Sequence, residues 1–160
     1  MVIVVIPHVR ALAIWAGTLA GLFLILVGGF FQSGIIIPEL SSTPKGIELP
    51  STLQVPALLL CALVCGPRAG VMASIAYLTI GIFHFPIFHG GGSLEYVSSP
   101  GFGYLTGFIP SAWVSGHLAQ KAESTSLLYL TLCAWAGLIV IQVWGGGFLI
   151  LGTLTNSWPE

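Results

Sequence analysis

Charge is what this chain has least of. Its 160 residues include four Lys or Arg and five acids, 6% of the total, where an average globular chain carries roughly 25%. A water-soluble fold would have little with which to cover its surface. All five acids are Glu, and the absence of Asp excludes an intramembrane aspartyl protease. No GxxxxGK[ST] run occurs, so the chain has no P-loop for ATP. If it moves a solute uphill, the energy comes from a partner. No HExxH occurs, and His84 and His89, with Pro86 between them, do not share a helix face as a metal pair would. Cysteine is sparse: Cys61, Cys65 and Cys133 lie in apolar runs without a CxxC, and read as small packing residues rather than a disulfide or zinc set. The net charge of −1 offers nucleic acid nothing to bind. Neither an enzyme nor a cofactor is expected from this inventory.

What is present is apolar length. Hydrophobic residues make up 56% of the chain, and a spanning helix needs about 20 of them in a row. Five runs qualify as candidate spans: Ala11 to Phe31, Leu49 to Pro67, Ala69 to about Phe85, Phe102 to Leu118, and Leu127 to Leu154. The first is too long for a signal-peptide core and has no small-residue cleavage site after it, so it reads as a retained helix. The charged residues all fall in loops or at span ends, which disfavours a proton-coupled carrier, since such carriers keep charge inside the membrane. The sequence predicts an all-α membrane protein, a polytopic helical bundle in the lipid bilayer.

Three of the four cations orient it. Arg10, Arg68 and Lys121 fall on one side, while Glu39, Lys45, Glu48, Glu95 and Glu160 fall on the other. The positive-inside rule then makes the N-terminus cytoplasmic and turns two loops outward, about 32–48 and 84–101. The expected location is the plasma (inner) membrane.

Two stretches carry more than hydropathy. In the first span, Ala13, Ala16, Gly17, Ala20 and Gly21 recur at helical spacing and line one face with tiny side chains. Such a face suits close helix contact, either with another membrane protein or with another span of the same chain. The outer stretch 84–101 reads HFPIFHGGGSLEYVSSPG. Its three glycines let backbone approach a ligand, and Phe85, Phe88 and Tyr96 add flat apolar surface. It suits capping a small molecule, or it is an outer loop with no task.

Taken in order, several short motifs carry a resemblance. They are Leu53-Gln54, Gly66-Pro67-Arg68-Ala69-Gly70, Tyr77 with Gly81, Pro86-Ile87-Phe88 before Gly90-Gly91-Gly92, Ser99-Pro100-Gly101-Phe102-Gly103-Tyr104, and Gly107-Phe108. Over about Pro50 to Leu118 the chain resembles the BioY family, the biotin-binding S-components of energy-coupling-factor (ECF) transporters. The resemblance implies a six-helix membrane fold that captures biotin from outside. It also implies a transmembrane coupling subunit and two ATPase subunits as partners. Family members dock through small residues of the first helix, which favours Ala13, Ala16, Gly17 and Ala20 as a partner-docking face. The family's sixth helix carries a Gly-Asp-x-x-Lys motif with no counterpart here. The expectation is a single transmembrane domain over 1–160, with five spans of the six.

Biotin would ask for a mostly apolar pocket with a few fixed polar groups. Its ureido head offers one carbonyl acceptor and two N–H donors, and its tail ends in a carboxylate. Gln54 supplies an amide donor and acceptor. Tyr77 and Tyr104 supply hydroxyls and ring faces, although Tyr77 reads equally as a packing residue and Tyr104 as an interfacial anchor. Phe88 supplies apolar surface. The backbone N–H groups of Gly90, Gly91 and Gly92 suit the carboxylate. Two other readings stand beside biotin capture: an S-component for another vitamin, and a structural or assembly membrane protein with no ligand.

Overall fold

Proline and glycine punctuate the apolar runs, and the helices begin and end where they do. The computed structural model describes residues 7–37, 45–83, 88, 94–121 and 126–155. Helix α1 (Pro7–Phe30) leads into an antiparallel hairpin of β1 (Gln32–Ile37) and β2 (Lys45–Thr52). Helices α2 (Gln54–Cys65) and α3 (Pro67–Phe83) follow, then a 3₁₀ turn (Leu94–Ser98), α4 (Phe102–Thr106), α5 (Phe108–Gln120) and α6 (Leu127–Leu154).

Three boundaries differ from the sequence expectation. The second span was expected from Leu49, but its first residues belong to β2, which pairs with β1 through Gly34↔Glu48, Ile35↔Ile47, Ile36↔Gly46 and Ile37↔Lys45. The β-branched run Ile35-Ile36-Ile37 favours extended pairing. The hairpin is tied to the helices where Leu53 N–H donates to the Gly28 and Phe31 carbonyls, at 3.1 and 3.2 Å, so the helix starts only at Gln54. The stretch expected as an outer loop over 32–48 is therefore largely hairpin. The fourth span is broken at Gly107, because Pro110 has no N–H to return to the Thr106 carbonyl. The third helix ends at Phe83 rather than near Phe85, and residues 84–87 lie outside the described residues.

Between α2 and α3 the chain reverses within a single residue. Gly66 takes φ +88°, a conformation that side chains resist, and Pro67 opens α3, where its missing N–H costs nothing.

Small residues then set the helix spacing. Gly17 and Gly21 of α1 press on Cys65, Cys61, Ala69 and Ala73, and Gly70 meets Ala62 and Ala112. Gly116 of α5 sits so close to Pro67 and the Ala62 carbonyl that a methyl group there would fall 2.7–2.8 Å from backbone atoms. Gly137 of α6 meets Leu59, Ser111 and Ser115. Buried hydroxyls satisfy themselves locally: Ser74 donates to the Gly70 carbonyl and Ser115 to that of Ser111, each at 2.8 Å. Ser111 donates across to the Gly137 carbonyl at 2.8 Å. Helix α5 thereby packs against α2, α3 and α6, while α1 covers α2 and α3.

The outer surface is as apolar as the inner one. Leu12, Trp15, Leu19 and Phe23 form an exposed stripe on α1, and Leu128, Leu132, Trp135, Ile139 and Val143 do so on α6. Both α1 and α6 are long and apolar enough to cross a membrane. Helix α2, at 12 residues, is the shortest candidate span, rising about 18 Å.

Candidate functional site

Gln54 opens α2 directly below the hairpin, and the fold buries it. Its amide lies against Gly29 near the end of α1, where a side chain would come within 2.6 Å of the nitrogen. Nε2 donates to the Tyr77 hydroxyl at 2.7 Å, joining α2 to α3. Gln54 is 8% exposed and Tyr77 only 1%. A buried amide must find partners, and this one finds a phenol. Among the described residues neither Gln54 Oε1 nor the Tyr77 hydroxyl proton has a further partner. The pair therefore keeps the Gln54 oxygen as an acceptor, and the second Gln54 N–H and the Tyr77 hydroxyl proton as donors.

Aromatic rings pack around Tyr77. Phe88 meets Tyr77 edge-on at 5.6 Å, and Phe108 stacks with it at 6.4 Å. Phe88 is buried and rests on Gly81, whose missing side chain leaves room for the ring. Tyr96 of the 3₁₀ turn closes over Phe88 at 5.0 Å.

The structure brings Gln54, Tyr77 and Phe88 together and puts Tyr104 elsewhere on the same core. The Tyr104 ring lies on Gly145 of α6, and among the described residues no ring contact or hydrogen bond joins it to Gln54 or Tyr77. Gly90, Gly91, Gly92, His84 and His89 lie outside the described residues. Sequence reasoning passed over Phe108 and Gly29. Gly107-Phe108 is among the motifs that carry the resemblance, but no site role was expected of Phe108. Gly29 had a visible signal in the Gly28-Gly29 pair at a helix end.

The small face of α1 divides in two. Gly17 and Gly21 are buried inside the bundle, whereas Ala13, Ala16 and Ala20 are exposed. At 100° per residue the glycines and alanines occupy adjoining edges of one face. The alanines line a groove of about 860 Å³ at the opposite end of α2 from Gln54, together with Cys65, Gly66 and Arg68. No group of three metal-ligating side chains occurs among the described residues.

Comparisons with known proteins bear on the family and the fold. The BioY family model matches residues 11–159. A probable biotin transporter BioY of Lysinibacillus sphaericus is 36% identical over 117 residues, 70% of this chain and 60% of that protein. The biotin transporter BioY of Thermotoga maritima is 34% identical over 116 residues, 72% of this chain and 68% of that protein. The matched chain thus spans about 60% of the first relative's length. A crystal structure of the S-component for biotin from an ECF-type ABC transporter superposes with TM-score 0.68 over 95% of this chain and 77% of the other, at 19% identity. That likeness establishes the shared fold.

Proposed function

The chain belongs to the BioY family, a multi-pass membrane family, and from that premise we propose that it captures biotin for an ECF-type uptake system. The carrying observation is the buried Gln54–Tyr77 pair, with aromatic rings packed around Tyr77. A ureido group presents N–H donors and a carbonyl acceptor. Gln54 Oε1 accepts one N–H, and the Tyr77 hydroxyl donates to the carbonyl. Phe88 and Phe108 face the apolar ring and tail. Gly90 to Gly92 remain the proposed partners of the carboxylate, and Tyr104 a proposed flank of the pocket.

Orientation and partners follow in the same reading. Arg10 and Arg68 line the groove at one end of the bundle, and Gln54 lies at the other. The positive-inside rule puts the groove in the cytoplasm and the Gln54 end outside, in the plasma membrane. The exposed Ala13, Ala16 and Ala20 then face the transmembrane coupling subunit, which works with two ATPases. Gly17 supports that face from behind by seating α1 on α2 and α3.

Biotin should raise the melting temperature of the full-length detergent-solubilised protein by mass action, while thiamine and riboflavin should not. Gln54→Leu leaves the ureido group without its partner, a loss of about 1–3 kcal/mol, or roughly five- to 150-fold in affinity. Stabilisation by another vitamin alone would replace biotin with that vitamin. Stabilisation by none would favour an assembly protein without a ligand. Undiminished biotin affinity in Gln54→Leu would move the site.

A further inference from the structure

The groove at the arginine end has a sign and a chemistry that biotin capture does not use. Arg10 and Arg68 line it, both exposed, and no acidic residue does. Neither guanidinium has a carboxylate partner among the described residues. Helix ends supply little of the sign: α1, α3 and α6 begin at this end while α2 and α5 end there, so most of the terminal dipoles offset. The two arginines make this end positive.

The walls fit the level of the membrane surface. Trp113 is half-exposed and stacks on His117, ring centroids 5.1 Å apart and planes 5° from parallel. Tryptophan favours the headgroup level, where its ring is apolar and its N–H is wet. The Gln120 amide adds a donor at the rim. Along α1 the groove adjoins the exposed apolar stripe of Leu12, Trp15 and Leu19. A ligand for such a place has an anionic head and an apolar tail. Guanidinium forks match phosphate oxygens in pairs.

We infer that this groove seats the headgroup of an anionic phospholipid, its phosphodiester between Arg10 and Arg68 and its acyl chains along the α1 stripe. The inference rests on the membrane placement of the chain and not on biotin. Ala13, Ala16 and Ala20 line the same groove, so the lipid occupies it when the coupling subunit is not docked.

The test places the full-length protein in phosphatidylcholine nanodiscs containing 10% phosphatidylglycerol and reads the lipids retained by native mass spectrometry. Wild type should retain phosphatidylglycerol over phosphatidylcholine. Arg10→Gln with Arg68→Gln should lose about thirtyfold of that preference, the sum expected for two arginines at an anionic surface. If the double variant does not fold, two single-tryptophan proteins carry the same test. One keeps Trp113. The other keeps Trp144, which bonds to Thr106 at the far end. Brominated phosphatidylglycerol at the same 10% should quench Trp113 well beyond Trp144. Equal quenching, or an unchanged preference in the double variant, would overturn the inference. So would saturation of the site by soluble glycerol phosphate at millimolar concentration, which would make it a site for free phosphate esters. Loss of the coupling subunit without any lipid preference would assign the arginines to protein docking.

Discussion

Gly81 and Phe88 illustrate how single residues shape the candidate site. The ring fills the space a side chain at Gly81 would take, and Phe88 holds the edge of Tyr77 from there. Gly81→Val displaces the ring, because a side chain yields more easily than the α3 backbone. An edge contact of this kind is worth about 0.5–1.5 kcal/mol, so biotin affinity should fall by up to roughly tenfold while helical content stays unchanged. Titration of wild type and variant checks this, and equal affinities would remove Phe88 from the site. Gln54 was legible in the sequence because an amide at the mouth of an apolar run needs a partner. Its partner was not legible as a pair: Tyr77 is 23 residues away, and nothing in local spacing says that α2 and α3 bring the two together. Phe108 was illegible for a similar reason, since ring stacking depends on helix packing rather than on pattern.

At the scale of the helix, α1 offers a contrast within one turn. Gly17 meets Cys65 and Ala69 closely, while Ala20 is exposed. Gly17→Leu overpacks the bundle, at a cost of about 1–3 kcal/mol, and should lower the melting temperature of the isolated protein. Ala20→Leu should leave that temperature unchanged and reduce co-purification with the coupling subunit. Intact co-purification in Ala20→Leu would return the alanine edge to the lipid. Helix positions were readable from hydropathy with small boundary errors. The hairpin was not, because its strands pair across residues 38–44 and its register shifts between Gln32 and Gly34, and neither leaves a short-range mark. The division of the small face was equally hidden, since periodicity identifies a face but not which of its edges meets the bundle.

The whole molecule has two unlike ends. Ser98 is exposed in the 3₁₀ turn near the Gln54 end, and Lys121 caps α5 at the arginine end. In a background with Cys61, Cys65 and Cys133 replaced, Ser98→Cys should react with an impermeant thiol reagent in intact cells. Lys121→Cys should react only after the cells are opened. The reverse pattern would invert the protein in the membrane.

The amide–phenol contact also changes what recognition means here. The Gln54 nitrogen is already engaged before any guest arrives, so the groups that await one are chiefly the Gln54 oxygen and the Tyr77 hydroxyl proton. A guest that leaves the contact in place is judged by what it gives to those two groups. A head shaped like a urea gives the oxygen an N–H and the phenol a carbonyl. One without that shape covers the oxygen and the phenol and returns nothing, leaving two stranded polar groups at about 1–3 kcal/mol each. Such a pocket selects chiefly by penalising wrong guests, and its discrimination among vitamins can exceed what its tightness for the right one would suggest.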